Sequence, residues 1–288
     1  MSTEPDSIRY STKADIAVIE IDNPPLNALA QPIWDGLERA FARAFGDMAV
    51  HAIVLAGAGR VFSAGADIRE FEKPVDQLMQ PFALNAIERG AKPIVASLHG
   101  VALGGGLELA VGCHFRVAAP GTRLGHPEVT LGLLPGAGGT QRLPRLIGVV
   151  PALELITSGR LLDAEAALKI GLVDAVIGGT SAVETGIAFA RGILAEHRTI
   201  RRACDMVQHI SDRSAGHAAI ARFRATLPES TPIRAAQENC LAAVAAALEL
   251  PLEAGLQRER ALFIACMATP EHDQLRRAFL SKRTEAKT

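Results

Sequence analysis

The sequence predicts an α/β fold with a C-terminal helical layer. Short apolar runs of strand length alternate with tight turns and helical periodicity through the first half of the chain. Beyond about Gly139 strand-like runs become rare, and from about Ile200 onward the pattern is almost wholly helical. These two observations place a strand-containing core at residues 1–198 and a helical region at 199–288.

The elements follow in order. Ile16-Ala17-Val18-Ile19-Glu20-Ile21 reads as a strand ended by the turn Asn23-Pro24-Pro25. An amphipathic helix is expected from Gln31 to Phe45, with Pro32 where a helix start tolerates it. His51 to Ala56 and Pro93 to Leu98 are further strands, followed by the glycine-bearing turns Gly57/Gly59 and Gly100 with Gly104-Gly105-Gly106. Val173 to Ile177 is a short later strand, and Asp163-Ala164-Glu165-Ala166 carries a helix-capping signal. Pro228, Pro232, Pro251 and Pro270 punctuate the helical tail, each close to a helix start.

Composition narrows the function classes. Among 288 residues, Lys+Arg (30) balances Asp+Glu (31), so no global field recruits nucleic acid or an anionic membrane. Any anionic ligand must be held by local groups. Met1-Ser2-Thr3-Glu4-Pro5-Asp6 lacks the basic and apolar regions of a secretory signal, and no apolar run suggests a membrane span. Cys113, Cys204, Cys240 and Cys266 show no C-x-x-C pairing and read as buried, reduced thiols. A cytoplasmic protein is expected.

The glycines do not spell a nucleotide site. Gly57-Ala58-Gly59-Arg60-Val61-Phe62 and Gly136-Ala137-Gly138-Gly139-Thr140-Gln141 both lack the last glycine of the dinucleotide fingerprint, and no P-loop or H-E-x-x-H motif occurs. What such turns can do is expose backbone N–H groups. Phe62-Ser63-Ala64-Gly65-Ala66-Asp67 and Leu103-Gly104-Gly105-Gly106-Leu107 are small-residue turns that precede expected helices. Two amides converging on one carbonyl oxygen stabilise the negative charge it gains. Tight packing is the alternative reading of each turn.

Two carboxylates open apolar stretches. Glu108 lies between Leu107 and Leu109, and Glu128 stands in His126-Pro127-Glu128-Val129. Each reads either as an acid at a helix start or turn, or as a partner in acid/base work, where desolvation and mutual repulsion separate two pKa values.

Phe62-Ser63-Ala64-Gly65-Ala66-Asp67-Ile68, Ala102-Leu103-Gly104-Gly105-Gly106-Leu107-Glu108-Leu109-Ala110 and the block from Pro127 to Leu143 together resemble the enoyl-CoA hydratase/isomerase (crotonase) family. Asn23 to Leu29, Thr157-Ser158-Gly159-Arg160 and Ala164-Glu165-Ala166 resemble its flanking signatures, so the likeness runs from about residue 16 to about 180. It implies a crotonase-like ββα spiral core. It assigns the N–H groups of Ala66 and Gly105 to an oxyanion hole for a thioester, Glu108 as the base that activates water, and Glu128 as the acid that delivers a proton to the α-carbon. Ala28, Ala64, Ala66, Asp67, Ile68, Arg69 and Gly105 would line the substrate and coenzyme A path, and Lys282 reads either as a solvated terminal lysine or as a contact to a neighbour's coenzyme A phosphates. No cofactor is implied, because coenzyme A is part of the substrate.

Both glutamates are present, which favours hydration of a 2-enoyl-CoA in fatty-acid β-oxidation. Δ3–Δ2-enoyl-CoA isomerisation and acyl-CoA hydrolysis are the rival reactions on the same fold. Gly112 to Val117, Leu133-Leu134-Pro135 and the tail from Leu250 to Phe263 resemble the hydratase half of multifunctional β-oxidation proteins, which implies either a stand-alone hydratase carrying the linker helix or a subunit partnered by a 3-hydroxyacyl-CoA dehydrogenase elsewhere. A homo-oligomer, trimer or dimer of trimers, is the family habit. A non-catalytic coenzyme A-binding protein is a rival of another class. RNA binding through the arginine-rich stretch from Arg191 to Arg224 is another, which the balanced charge and the single Trp and Tyr argue against.

Overall fold

The computed structural model describes residues 7–73 and 82–285, the side chains at 82, 83 and 282–285 excepted. The N-terminal segment 1–6, read above for a targeting signal, lies outside the described residues. The chain forms two compact units. The first takes residues 1–70, 79–124 and 162–206, and the second takes 71–78, 125–161 and 207–288. The sequence boundary at residue 198 follows helical content, whereas these units follow contacts, so the second unit joins the helical tail to residues 125–161.

The first unit is built on a six-stranded sheet. Its strands are β1 (Ile8–Lys13), β2 (Ile16–Ile21), β3 (Ala52–Gly57), β4 (Ile94–Leu98), β6 (Phe115–Ala118) and β9 (Ala175–Val176), hydrogen-bonded in that order. Only β1 and β2 pair antiparallel, and every other neighbour is parallel. Parallel strands covered on both faces read as continuous apolar runs, which is why β2, β3 and β4 stand out in the sequence. Ile16, Val18, Ala52, Val54, Val95, Phe115 and Val117 pack on Ile187, Ala190 and Ile193 of α7 (Ala182–Ala195). Side chains alternate along a strand, so Ile19 and Ile21 face the other way, toward α1 (Gln31–Gly46), which contacts β1 and β2. α1 buries Ile33, Trp34, Leu37, Ala40, Phe41 and Ala44, the stripe expected of an amphipathic helix.

Short helices leave this sheet where the turns were expected. α2 spans Phe82–Glu88, β5 Val101–Leu103 and α3 Gly105–Val111. A second sheet has the order β5-β7-β8, with β7 at Arg123–Gly125 and β8 at Leu161–Asp163. The Asp163 carboxylate accepts the Ala166 N–H at 2.7 Å and starts α6 (Ala164–Lys169), as its capping pattern predicts.

The second unit is helical. α4 (Gly139–Ile147), α5 (Val149–Ser158), α8 (Arg213–Thr226) and α10 (Leu252–Met267) all contact α9 (Arg234–Glu249). α9 buries small residues, Ala236, Cys240, Ala243 and Ala247 among them, so its neighbours approach closely. α4 would begin with unsatisfied N–H groups. Glu259 of α10 meets them: its carboxylate accepts Gly138 N–H at 2.6 Å, Thr140 N–H at 2.9 Å and the Thr140 hydroxyl at 2.5 Å. α11 (Pro270–Glu285) contacts the turn at Pro127–Leu131, where the His272 ring lies 2.7 Å from the Leu131 carbonyl oxygen.

Candidate active site

In the first unit the turn after β3 is held by a buried asparagine. Asn27, at φ 51° and 2% exposed, donates through Nδ2 to the carbonyls of Ala58, Val61 and Phe62, and its Oδ1 accepts the Asn23 N–H. The Ser63 hydroxyl donates to the Asn27 carbonyl at 2.7 Å and accepts the Gly65 N–H at 3.1 Å. These two polar side chains fix the path from Ala64 to Ala66.

That path decides where the Ala66 amide points. Leu29 and Ala66 form an isolated parallel bridge. Leu29 N–H donates to the Gly65 carbonyl at 2.8 Å, and Asp67 N–H donates to the Leu29 carbonyl at 3.2 Å. In such a bridge Leu29 uses the groups on either side of Ala66, so the N–H of Ala66 itself is directed to the opposite edge. Gly105 lies there. As the first residue of α3 it has an N–H with no intrahelical acceptor.

A side chain on Gly105 would place its Cβ 3.6 Å from Ala66 N, 3.8 Å from Leu29 Cδ1 and 4.0 Å from Glu108 Oε2. One small volume is thus bordered by an amide, an apolar methyl and a carboxylate oxygen. The neighbouring glycines are required by close approach. Gly65, at φ +94°, would put a Cβ 2.6 Å from the Leu103 carbonyl oxygen, and Gly106 would put one 2.8 Å from Ser63 Cβ. Glu108 is 3% exposed in the first turn of α3, with Leu107 and Leu109 fully buried beside it.

Glu128 belongs to the second unit, on a short 3-10 turn, Pro127–Leu131. Gly132 ends that turn in the left-handed region at φ 71°, and Leu133 N–H donates back to the Glu128 carbonyl at 3.0 Å. The side chain is 14% exposed; its Oε1 lies 3.3 Å from His126 Nδ1, and its buried Oε2 has no hydrogen-bond partner among the described residues. Burial pushes the Cys240 thiol well above its ordinary value, and Cys266, Glu128 and Glu259 add to the rise. An apolar, carboxylate-bearing environment surrounds this part of α9.

An enoyl-CoA hydratase/isomerase family model matches residues 11–242. The chain belongs to that family. It is 41% identical over 271 residues to the human peroxisomal bifunctional enzyme, covering 93% of this chain and 37% of that one. It is 46% identical over 180 residues to a probable enoyl-CoA hydratase of Bacillus subtilis, covering 58% of this chain and 68% of that one. The crystal structure of an enoyl-CoA hydratase from Bacillus anthracis superposes with a TM-score of 0.61 at 28% identity, covering 96% of each chain. The chain therefore spans less than two fifths of the peroxisomal relatives.

Ala66, Gly105 and Glu108 converge in the first unit, and Glu128 lies in the second. Ala28 contributes its carbonyl to Asn23 Nδ2 at 2.7 Å, and Ala64 N–H donates to the Leu26 carbonyl at 2.9 Å. Ile68 opens a 3-10 turn, Ile68–Glu72, where the sequence suggested an ordinary helix. Arg69 is exposed and grips Asp67 through Nε at 3.0 Å and Nη2 at 2.6 Å, which raises the Arg69 pKa. Lys282 lies in α11, and its side chain is outside the described residues. Asn27, Ser63, His126 and Glu259 were given no role from sequence. Asn27 had the one usable signal, since Asn tolerates the left-handed conformation better than most residues.

Proposed function

We propose that the protein is an enoyl-CoA hydratase, adding water across the 2,3 double bond of a 2-enoyl-CoA to give a 3-hydroxyacyl-CoA. The observation that carries this reading is the amide of Ala66 facing Gly105 beside the Glu108 carboxylate. The thioester oxygen accepts from Ala66 N–H and Gly105 N–H. Polarising that carbonyl draws electron density from the β-carbon and makes it electrophilic, and the donors strengthen as negative charge builds on the enolate oxygen. Glu108 takes a proton from water as its oxygen bonds to the β-carbon. Glu128 gives a proton to the α-carbon, so H and OH have been added and the carboxylates have exchanged protonation states. Proton return through solvent completes the cycle.

The turn from Ala64 to Arg69, with Ala28, lines the coenzyme A path in this proposal. Assembly as a trimer or dimer of trimers, and a 3-hydroxyacyl-CoA dehydrogenase acting on the product, belong to the same proposal. So does a cytoplasmic setting, supported by four free thiols. No helix among the described residues is long and apolar enough to cross a membrane.

The test is loss of the conjugated enoyl-thioester absorbance across a ladder of acyl chain lengths, with free thiol measured in parallel. Hydration consumes the enoyl thioester without releasing thiol. Glu108→Gln and Glu128→Gln should each lower kcat by about 10²–10⁴-fold, the usual worth of a positioned acid or base. Thiol release, coenzyme A thioester binding without turnover, or full hydration by either variant would defeat the proposal.

A further inference from the structure

We propose that His126 is a positioning residue that dictates which oxygen of Glu128 carries the transferable proton. The inference rests on the proposal that Glu128 is the acid, and deepens it. A protonated carboxyl has one carbonyl-type oxygen and one hydroxyl. His126 is fully buried directly before the turn that carries Glu128, and its Nδ1 is 3.3 Å from Oε1. When Nδ1 bears the imidazole hydrogen, it donates to Oε1, and Oε1 is held as the acceptor oxygen. The carboxyl proton then resides on Oε2, the buried oxygen with no hydrogen-bond partner among the described residues. In the opposite tautomer a bare Nδ1 would draw the proton onto Oε1, where it is engaged with the ring and withheld from substrate.

The backbone of this turn is already fixed by other groups. Leu133 N–H donates to the Glu128 carbonyl at 3.0 Å, the Thr130 hydroxyl donates to the Pro127 carbonyl at 2.7 Å, and the His272 ring nitrogen lies 2.7 Å from the Leu131 carbonyl oxygen. What those contacts leave undetermined is rotation of the Glu128 carboxyl about its own axis. A ring donor on one oxygen removes that freedom, because it makes the two oxygens inequivalent.

Two measurements test this, one of them independent of turnover. In protein labelled with ¹⁵N-histidine, the His126 signals are assigned by their loss in His126→Asn. The inference expects Nδ1 to be protonated and its shift to move in Glu128→Gln; an unprotonated Nδ1 overturns it. In the hydration assay, His126→Leu should lower kcat about tenfold with KM changed less than about twofold, the pattern of a lost orienting hydrogen bond. His126→Asn, which can keep an N–H near the Nδ1 position, should recover most of that loss. Equal kcat for His126→Leu and wild type, or no recovery by His126→Asn, also overturns it. If the wild-type protein hydrates no 2-enoyl-CoA, the functional proposal fails, and the tautomer measurement still decides the hydrogen bond.

Discussion

Acid should weaken this protein through His114, and the size of the effect follows from its surroundings. The ring is fully buried; Nδ1 accepts the Ile94 N–H at 3.1 Å, so Nε2 carries the hydrogen and donates to the Glu88 carbonyl at 2.9 Å. Protonating Nδ1 would set one N–H against another inside the core. Burial accordingly pulls the pKa from 6.5 down to about 4, the Arg202 and Arg116 charges add to the fall, and the Glu88 carbonyl opposes it. The pKa is lower folded than unfolded, so between those values the unfolded chain binds the extra proton and stability rises with pH. This contribution is complete above about pH 6.5 and is lost as pH falls toward about 4, a total on the order of 3 kcal/mol. Asn in place of His114 keeps an acceptor near the Ile94 amide and does not titrate. Urea unfolding of both proteins across this window reads the difference in free energy. Wild-type stability should fall toward that of His114→Asn by about 2–3 kcal/mol from neutral pH to pH 4. Parallel profiles, or a His114 resonance titrating near its ordinary value, would refute the reasoning.

Two further outcomes follow from the site and its support. Gly65→Ala forces a Cβ within 2.6 Å of the Leu103 carbonyl oxygen at φ +94°; stability should drop by about 1–3 kcal/mol and kcat with it, read by thermal melting and the hydration assay. Glu259→Ala strands the N–H groups of Gly138 and Thr140 at the start of α4. A loss of roughly 3 kcal/mol in urea unfolding is expected, and a loss below about 0.5 kcal/mol would show that α4 has other means of satisfying its first turn.

The fold was legible where burial makes one pattern per element. β2, β3 and β4 carry predominantly apolar runs, broken only by Glu20 and Ser97, because both of their faces are covered, and α1 shows its stripe. β1 was missed because it is an edge strand in which Ile8 alone is buried while Arg9, Thr12 and Lys13 face solvent. β6 was missed for a different reason: Arg116 sits inside it, fully buried, with its backbone N–H donating to Asp174 at 2.7 Å and its side chain to the Cys113 and Leu172 carbonyls. An arginine in an apolar run reads as an interruption until its partners are known. The later strand expected over Val173 to Ile177 is Ala175–Val176, flanked by Asp174 N–H donating to the Arg116 carbonyl at 2.8 Å and Ile177 N–H donating to the Ala118 carbonyl at 2.9 Å, while the Asp174 carboxylate pairs with Arg116 and Arg201.

The glycine turns and both glutamates could be picked out as residues, but not their supports. Ser63 and Glu259 act on partners brought in by the fold, whereas His126 meets Glu128 two positions along, a spacing that names no role by itself. Glu259 acts on a helix more than a hundred positions away, and local pattern carries no trace of such a partnership.

The orientation of the Ala66 amide is written into its neighbours' hydrogen bonds, not into its own side chain. Apart from proline, which lacks an N–H, exchange of the residue at this position alters bulk and leaves the donor in place. In the proposed reaction the donor at position 66 therefore survives most substitutions there, because it travels with the backbone and not with the side chain.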